Sequence, residues 1–267
     1  MMLIKIGGGK AINYNAIAED IKTLSEKEQV IIVHGASSTR DEIADKLGIP
    51  TQRITSPSGV TSVYTDKDAI DIFLMSYCGL INKRIVATLQ DHGVNALGLS
   101  GIDGRLWEAK RKDVVYAIEG GRTKLIRDNL TGKVERVNSK LLQLLCGNGY
   151  TPVICPPALS FDGQIVNTDN DAVVVVLADA LHIEKIVFLF EAAGLLKDFR
   201  NEKSLVKKIT KKDLMSFMQS AEGSMKKKLL GTKKIVDMGF SAVYFGDGRI
   251  KNPVISALSG KGTVITA

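Results

Sequence analysis

The stretch Leu3-Ile4-Lys5-Ile6-Gly7-Gly8-Gly9-Lys10 joins a short β-branched run to a glycine-rich turn. Residues 16–24 then place apolar side chains at helical spacing, with charged side chains on the opposite face. A second β-branched run, Val30-Ile31-Ile32-Val33-His34, ends in another turn of small residues, Gly35-Ala36-Ser37-Ser38. Strand, helix and strand in this order predict a βαβ unit with parallel strands.

The same alternation continues along the chain. A long helical pattern covers residues 66–93, opened by Thr65 or Asp66 as a cap and bent near Gly79, and a second covers residues 169–181. Further strands are predicted at Asn95–Leu99, Pro152–Cys155, Lys185–Leu189, Ala242–Phe245 and Thr263–Thr266. We therefore predict an α/β fold with a mainly parallel open sheet sandwiched by helices.

One region departs from the alternation. Val114–Ile118, Thr123–Arg127 and Val134–Val137 are short alternating segments, separated by a Gly-Gly turn and an Asn-Leu-Thr-Gly turn. These turns predict a β-hairpin or small meander, inserted on the main sheet. The surrounding residues 104–138 are also rich in cations, which makes this basic segment either a lid or a solvated hairpin.

Composition limits the class of protein. The 267 residues carry 36 Lys and Arg against 29 Asp and Glu, a net charge of +7, and 45% are hydrophobic, as in an ordinary folded protein. The three cysteines have no CxxC spacing, which argues against a zinc ribbon or disulfide framework and fits a reducing cytoplasm. The most apolar stretch, residues 172–178, is too short to cross a bilayer. The positive balance indicates a solvated surface or an acidic partner.

The two glycine-containing turns are candidate anion sites. Glycines let backbone N–H groups approach a phosphate closely, and a following helix adds its dipole. The first turn matches neither the P-loop nor the G-x-G-x-x-G pattern, so a purely structural turn remains an alternative. Two such turns at neighbouring strand ends favour a site, because ligands bind along the carboxyl edge of parallel strands. We interpret His34 as a packed histidine rather than a base.

A third polar junction precedes the helix at 169–181. Thr168, Asp169 or Asn170 would cap this helix, whereas Asp171 falls in its first turn, directly before a valine run. A carboxylate there would be costly unless it held a cation or hydrogen-bond donors. One source of cations is Lys226-Lys227-Lys228, which is either a solvated helix start or an anion site.

These motifs resemble those of the amino acid kinase family, and within it the N-acetylglutamate kinases. Lys5-Ile6-Gly7-Gly8 resembles the K-x-G-G opening, Val33-His34-Gly35-Ala36 the V-H-G-G loop, Asn167-x-Asp169-x-Asp171 the N-x-N-x-D segment, and Gly223-Ser224-Met225-Lys226-Lys227-Lys228 the G-G-M-x-x-K segment. Residues 56–62, 101–104, 247–253 and 257–263 are more similar to the kinases that act on aminoadipate or glutamate linked to the LysW amino-group carrier protein.

The resemblance implies transfer of the γ-phosphoryl group of ATP to a side-chain carboxylate, in lysine or arginine biosynthesis. Lys5 and Lys228 would neutralise charge on the transferred group, Asp171 would orient both lysines, and the nucleotide phosphates would carry Mg²⁺. Residues 1–165 would form the lobe for the amino acid and its carrier, and residues 166–267 the lobe for ATP. The other implied site residues are Gly7, Gly8, Glu191 and Gly194 for ATP, and Gly35, Ala36, Ser62 and Asn167 for the acceptor, with the backbones of Gly7, Gly8, Gly35 and Ala36 as donors.

A carrier-linked acceptor gives the basic segment a function. A carrier that displays its amino acid at an acidic end would be attracted to a positive rim. The residues implied for this rim are Arg105, Lys110, Arg111, Lys112, Arg122, Lys124 and Arg127. The resemblance also implies a homodimer, through surfaces that include residues 66–93, and neither nucleic acid nor membrane as a partner.

Three positions depart from the family pattern. The second glycine of V-H-G-G is Ala36, which narrows the space for backbone approach. Val63 stands where the N-acetylglutamate kinases carry an arginine for the α-carboxylate, and valine cannot make that bidentate contact. We expect Ser62 or a carrier interface to compensate. Glu191 stands where the family usually has an aspartate at the nucleotide edge.

Other functions stay open at this stage. The nearest alternative is a kinase for free N-acetylglutamate, although Val63 and the basic segment argue against it. A non-catalytic nucleotide-binding sensor is a further alternative, which the presence of both Lys5 and Lys228 disfavours. A nucleic-acid-binding protein would use the basic segment as its contact surface. Such sites usually add aromatic platforms, and this segment offers only Trp107 and Tyr116.

Overall fold

The first two strands and the helix between them form the predicted βαβ unit. In the computed structural model, β1 (Met2–Ile6) and β2 (Val30–His34) are parallel, with Leu3 opposite Ile31, and α1 (Tyr14–Ser25) connects them. The structure describes residues 1–198, 201–220, 229, 232–237 and 242–266.

The main sheet has eleven strands and is mainly parallel. The strands that follow β2 are β3 (Arg53–Thr55), β4 (Thr61–Val63), β5 (Ala96–Gly101), β6 (Trp107–Arg111), β7 (Val115–Glu119), β8 (Arg122–Ile126), β9 (Thr131–Val137), β10 (Thr151–Ser160), β11 (Ile165–Thr168), β12 (Lys185–Phe190), β13 (Lys208–Thr210), β14 (Ala242–Asp247) and β15 (Thr263–Thr266). The order across the main sheet is β11-β9-β6-β10-β2-β1-β12-β14-β15-β13, and β5 pairs with β10. The predicted mainly parallel α/β sheet is confirmed.

Helices lie on both faces of this sheet. Their bounds are α2 (Ser37–Lys46), α3 (Lys67–Phe73), a π-helix (Leu74–Ile81), α4 (Asn82–Asp91), a 3₁₀ turn (Asp103–Arg105), α5 (Ser139–Gly147), α6 (Asn170–Leu181), a second 3₁₀ turn (Glu202–Ser204), α7 (Lys211–Ser220) and α8 (Pro253–Leu258). Residues 232–237 are also helical.

Alternate strand side chains enter two apolar cores, one on each face of the sheet. Leu3 and Val33 belong to the core that includes α5 and α6, whereas Ile4 and Ile32 belong to the core that includes α1, α4 and α8. The valine run of α6 is buried on most sides, as its composition predicts. Lys5 follows Leu3 on the α6 side of β1, and this alternation decides which helix it can reach.

The predicted helix at 66–93 consists of three helical segments. Asp66, not Thr65, is the cap of α3, and its Oδ1 accepts a hydrogen bond from Ala69 N (2.9 Å). Gly79 lies inside the π-helix. Within the described part of the chain, Lys67–Asp91 is the one helical stretch that is long and apolar enough to cross a bilayer. Its most apolar window has a mean hydropathy of 1.3, and 44% of that window is buried inside the fold.

The basic segment divides between two sheets. β7 and β8 form the predicted antiparallel hairpin, with Val115 opposite Ile126. Placing Val134–Val137 in that hairpin is wrong, because β9 pairs with β6 in the main sheet. The sequence pattern also misses the β3–β4 hairpin, since strands of three residues carry too little periodicity to detect.

β10 extends past its predicted end. Cys155 ends the ladder with β5, and pairing resumes at Ala158 with β11. Pro156 and Pro157 lie between these two ladders, where a residue without an N–H group removes no ladder hydrogen bond. The two prolines therefore mark a change of partner rather than the end of the strand.

Candidate active site

Lys5 and Asp171 meet at the carboxyl edge of the sheet. Lys5 lies near the end of β1, and Asp171 lies in the first turn of α6, whose cap is Asp169. Lys5 Nζ is 2.8 Å from Asp171 Oδ1, and the two side chains are 8% and 15% exposed. The fold thus supplies the cation that a carboxylate in front of the valine run requires.

The charge on Lys5 results from opposing effects. Burial lowers the pKa of the Lys5 amine, but the charge and hydrogen bond of Asp171, together with the charge of Asp169, outweigh it and raise the pKa above its ordinary value. Lys5 is therefore positively charged at neutral pH. A fixed, buried cation beside a glycine turn is suited to stabilising a phosphoryl group during transfer.

The two glycine-containing turns pack directly against each other. Gly8 O accepts hydrogen bonds from Ser38 N (2.9 Å) and Ser37 Oγ (3.2 Å). A side chain on Gly8 would collide with the backbone nitrogens of Ala36 and Ser37, so only glycine fits there. This contact joins the ends of β1 and β2 into one wall of the site.

The backbone N–H groups of these turns are unequally available. Gly7 N and Gly35 N already donate to carbonyl groups of neighbouring strands (2.8 and 2.9 Å), and the Ala36 backbone is hydrogen-bonded to the Tyr77 hydroxyl. Among the described residues, Gly8 N has no hydrogen-bond partner. Of the four predicted backbone donors, Gly8 is therefore the one left available here, and the binding roles of all four stay predictions.

His34 is a packed histidine at the end of β2. It is fully buried, its Nδ1 is 3.2 Å from Gly35 O, and its Nε2 is 3.1 Å from Asn82 Nδ2. Burial lowers the pKa of the imidazole to about 4, so the ring is neutral at pH 7. Nδ1–H then donates to Gly35 O and Nε2 accepts from Asn82, which fixes the turn without adding a base.

Asn167, predicted for the acceptor, lies next to Thr65. Asn167 Nδ2 donates a hydrogen bond to Thr65 Oγ1 (3.3 Å), and Thr65 N donates to Asn129 Oδ1 (3.1 Å). Ser62 is half-buried on β4, the strand that leads into Thr65. The predicted acceptor residue Asn167 therefore contacts Thr65, which follows Ser62 by three residues, and the acceptor roles of Ser62 and Asn167 stay predictions.

Glu191, predicted for ATP, follows β12 and contacts the first glycine turn. Its Oε1 accepts a hydrogen bond from Ala11 N (2.5 Å), and a side chain on Gly9 would collide with its carboxylate. Gly194 has a φ of +154° and lies against Thr263, which leaves no room for a side chain. Glu191 and Gly194, two of the four predicted ATP residues, therefore lie just after β12, the strand that borders β1.

The seven cations predicted for the carrier surface occupy the first 3₁₀ turn, β6, β8 and the adjacent loops. Arg105 donates a hydrogen bond to Glu108 (2.8 Å), and Lys124 Nζ lies 2.8 Å from Glu119 Oε2, so nearby carboxylates balance these two charges. Within the described ranges, the members that form no ion pair include Lys110, Lys112 and Arg122.

Lys228, the second predicted catalytic lysine, lies outside the described residues.

Sequence reasoning assigned Asn170 only as a possible cap, yet its Nδ2 donates to His34 O (3.3 Å) and so borders Gly35. It missed Tyr77 altogether, because one tyrosine in a long apolar helix carries no signal of its contact with Ala36.

The chain is similar along its length to known kinases. A [LysW]-aminoadipate kinase of Deinococcus radiodurans is 44% identical over 267 residues, covering 100% of this chain and 91% of that protein. The [LysW]-aminoadipate kinase of Thermus thermophilus is 42% identical over 268 residues, with 99% and 100% coverage. A [LysW]-aminoadipate/[LysW]-glutamate kinase of Metallosphaera sedula is 32% identical over 269 residues, with 100% of each chain covered.

The fold of the chain is also similar to that of solved structures. Carbamate kinase from Giardia lamblia bound to AMP-PNP superposes with a TM-score of 0.68 at 14% identity, covering 99% of this chain and 97% of that one. The sequence model of the amino acid kinase family matches residues 1–246. The chain therefore belongs to the amino acid kinase family and is a phosphotransferase.

Proposed function

We propose that this chain transfers the γ-phosphoryl group of ATP to the side-chain carboxylate of aminoadipate, glutamate or both, each attached to a LysW-type carrier protein. The observation that carries the proposal is the buried Lys5–Asp171 pair beside the two joined glycine turns. The activity named for the Deinococcus and Thermus relatives supports aminoadipate, and that named for the Metallosphaera relative supports both aminoadipate and glutamate. The acyl phosphate would serve lysine biosynthesis and, with glutamate, arginine biosynthesis.

Catalysis in this proposal rests on position and charge. The acceptor carboxylate attacks the γ-phosphorus, the bond to the bridging oxygen breaks, and ADP leaves with the electron pair. Lys5 stabilises the charge on the transferred oxygens, Gly8 N donates to them, and Lys228 acts from the other side. Asp171 keeps Lys5 charged and in place. No proton transfer is needed, because the nucleophile is already a carboxylate.

We propose that Mg²⁺ enters with the nucleotide. Among the described residues, no group of three or more His, Cys, Asp or Glu side chains is placed to hold a metal ion. Asp169 is engaged by backbone N–H groups of α6, and Asp171 by Lys5. Such a site fits Mg²⁺ held by phosphate oxygens and waters, where the ion neutralises phosphate charge.

The carrier would dock on the basic segment. A groove of about 490 Å³ is lined by Lys110, Arg111, Lys112, Asp113, Val114, Lys133 and Glu135. Arg111 Nη2 donates to Arg127 O (2.9 Å), and the next residue, Asp128, accepts a hydrogen bond from the Tyr64 hydroxyl (2.6 Å). These bonds connect the groove to the loop beside Asn167, which supports an acidic carrier docked there with its amino acid in the site.

The division into lobes and the assembly are also proposals. Residues 1–165 would bind the acceptor and its carrier, and residues 166–267 would bind ATP, which agrees with the positions of Ser62 and Glu191. Met75 is 44% exposed on the apolar stretch Lys67–Asp91, and a second copy of the chain would cover it, which supports a homodimer.

The three free cysteines support a reducing cytoplasm.

Hydroxylamine trapping of the acyl phosphate tests the reaction. Enzyme, ATP and Mg²⁺ are combined in parallel with carrier-linked aminoadipate, carrier-linked glutamate and free N-acetylglutamate. We expect hydroxamate from a carrier-linked acid, lost in Lys5→Ala and Lys228→Ala. Lys27→Ala is the matched control, because Lys27 is exposed and precedes β2 at the opposite edge of the sheet. Product only from N-acetylglutamate would contradict the carrier, and no product from any acceptor would contradict the proposed acceptors.

The carrier surface has its own test. We expect Lys110→Glu with Lys112→Glu to raise KM for the carrier-linked acid and to weaken its salt dependence, while KM for ATP stays unchanged. Lys27→Glu reverses one charge instead of two, at a position away from the site. It should leave KM for the carrier-linked acid unchanged. An equal effect of all these substitutions would argue for a general charge effect instead of a docking surface.

A further inference from the structure

Val63 leaves the acceptor side without an obvious partner for a carboxylate. An amino acid attached through its amino group keeps a free α-carboxylate, and valine cannot bind it. Ser62 is a neutral hydroxyl and offers one hydrogen bond at most. A different cation, on α2, lines the same cavity as Val63.

That cation is Arg40, in the first turns of α2. Its backbone N donates to Ala36 O (2.8 Å), so it stands one turn after the predicted acceptor loop. Its side chain is 7% exposed and lines a cavity of about 30 Å³. Val63, Tyr64 and Asp66 line the same cavity. By the space that a buried water needs, this volume holds about two waters, which is close to the two oxygens of a carboxylate.

The Arg40 guanidinium is held in one orientation. Its Nε and Nη2 donate to Asp41 Oδ1 (2.9 and 2.7 Å), and Arg53 Nη2 donates to the other Asp41 oxygen (3.3 Å). The Arg40 Cζ also lies 5.4 Å from the centre of the Phe73 ring. Among the described residues, Arg40 Nη1 has no hydrogen-bond partner. A buried guanidinium with donors left over is suited to a carboxylate ligand.

We propose that Arg40 binds the free α-carboxylate of the acceptor amino acid and so replaces the arginine that the related kinases carry at the position of Val63. This proposal rests on the proposed function. It makes Arg40 the residue that distinguishes an amino acid with a free α-carboxylate from a simple ω-amino acid. The cavity is lined by α2, residues 49–52, β4 and α3. Its lining residues Tyr64 and Asp66 flank Thr65 in the chain, and the Thr65 hydroxyl accepts a hydrogen bond from Asn167.

A cycle of two enzymes and two acceptors tests it. Wild type and Arg40→Gln are assayed with carrier-linked aminoadipate and with carrier-linked 5-aminopentanoate, which differs only in lacking the α-carboxylate. We expect Arg40→Gln to raise KM for the aminoadipate form about 10- to 100-fold, the effect of losing a charge-assisted hydrogen bond. KM for the 5-aminopentanoate form and for ATP should change less than about twofold.

Two further variants distinguish an effect on acceptor binding from an effect on folding. Arg40→Lys keeps the charge but loses the planar fork, and should give an intermediate KM at an unchanged melting temperature. Arg40→Gln with Val63→Arg restores a guanidinium to the cavity wall and should recover discrimination between the two acceptors. Arg53→Gln is the matched control, because it removes the exposed guanidinium that shares Asp41.

The proposal would be overturned if Arg40→Gln raised KM equally for both acceptors. It would also be overturned if Arg53→Gln, and not Arg40→Gln, raised KM for the aminoadipate form only. If wild type phosphorylates only free N-acetylglutamate, the proposed carrier is wrong, and the same cycle is run with N-acetylglutamate and 4-acetamidobutanoate. Failure of the proposed function and failure of the role of Arg40 are therefore separate outcomes.

Discussion

Lys5 Nζ lies 2.8 Å from Asp171 Oδ1, and this contact ties the end of β1 to the first turn of α6. Asp171→Asn removes the carboxylate that outweighs burial, so we expect the pKa of Lys5 to fall below its ordinary value. Activity should drop about 100-fold at pH 7. It should fall further as the pH rises from 7 to 9, because Lys5 then loses its proton.

The measurement is kcat against pH for wild type and variant. The raised pKa of Lys5 keeps the wild-type amine charged over this range, so its profile should show no loss from Lys5. Asp179→Asn is the control, because Asp179 is exposed near the other end of the same helix. A flat profile for Asp171→Asn would mean that another group keeps Lys5 charged.

Gly8→Ala tests the contact between the two glycine turns. The added methyl group meets the backbone nitrogens of Ala36 and Ser37, which cannot move without shifting α2. We expect a loss of about 1–3 kcal/mol in the free energy of unfolding, the usual cost of overpacking, together with weaker ATP-dependent turnover. Gly147→Ala should be neutral or stabilising, because Gly147 has open space around it and no positive φ.

Urea unfolding and kcat are measured on both glycine variants. Equal stability of the Gly8 and Gly147 variants would show that the turns can separate without cost.

His34 gives a pH-dependent contribution to stability. Its pKa is lowered by burial from 6.5 to about 4, so the unfolded chain binds a proton first as the pH falls. The contribution of neutral His34 to the free energy of unfolding is fully present above pH 6.5. It decreases as the pH falls toward 4, by a total of about 3 kcal/mol. NMR of the His34 ring should show no titration between pH 8 and pH 5. A midpoint near 6.5 would contradict the buried neutral ring.

Asp20 anchors the start of α8. It is fully buried, and its carboxylate accepts hydrogen bonds from Asn252 Nδ2 (3.1 Å), Val254 N (2.8 Å) and Ile255 N (3.0 Å). Asp20→Ala leaves these donors without an acceptor, so we expect a loss of about 2–3 kcal/mol in unfolding free energy. Asp20→Asn keeps one acceptor oxygen and should lose less.

The control for this pair is Asp45→Ala, since Asp45 is exposed on α2. It should change stability by less than about 0.5 kcal/mol. Losses of equal size at Asp20 and Asp45 would show that the hydrogen bonds to α8 contribute nothing.

Features that depend on neighbouring residues could be predicted from the amino-acid sequence. Periodicity and turn chemistry predict β1, α1 and β2, because apolar spacing and glycine placement act within a few residues. The same local patterns carry the motifs of the amino acid kinase family. They also pointed to Asp171 as a carboxylate in need of a cation, since a valine run follows it directly.

Contacts between residues that are distant in sequence could be identified only from the folded arrangement of the chain. This arrangement paired Asp171 with Lys5, satisfied the N–H groups of Gly7 and Gly35, and moved β9 from the hairpin into the main sheet. It also placed Arg40 at a cavity shared with Val63. Such contacts depend on burial and on the packing of elements that are remote in sequence. The spacing of apolar residues within a short segment predicts neither.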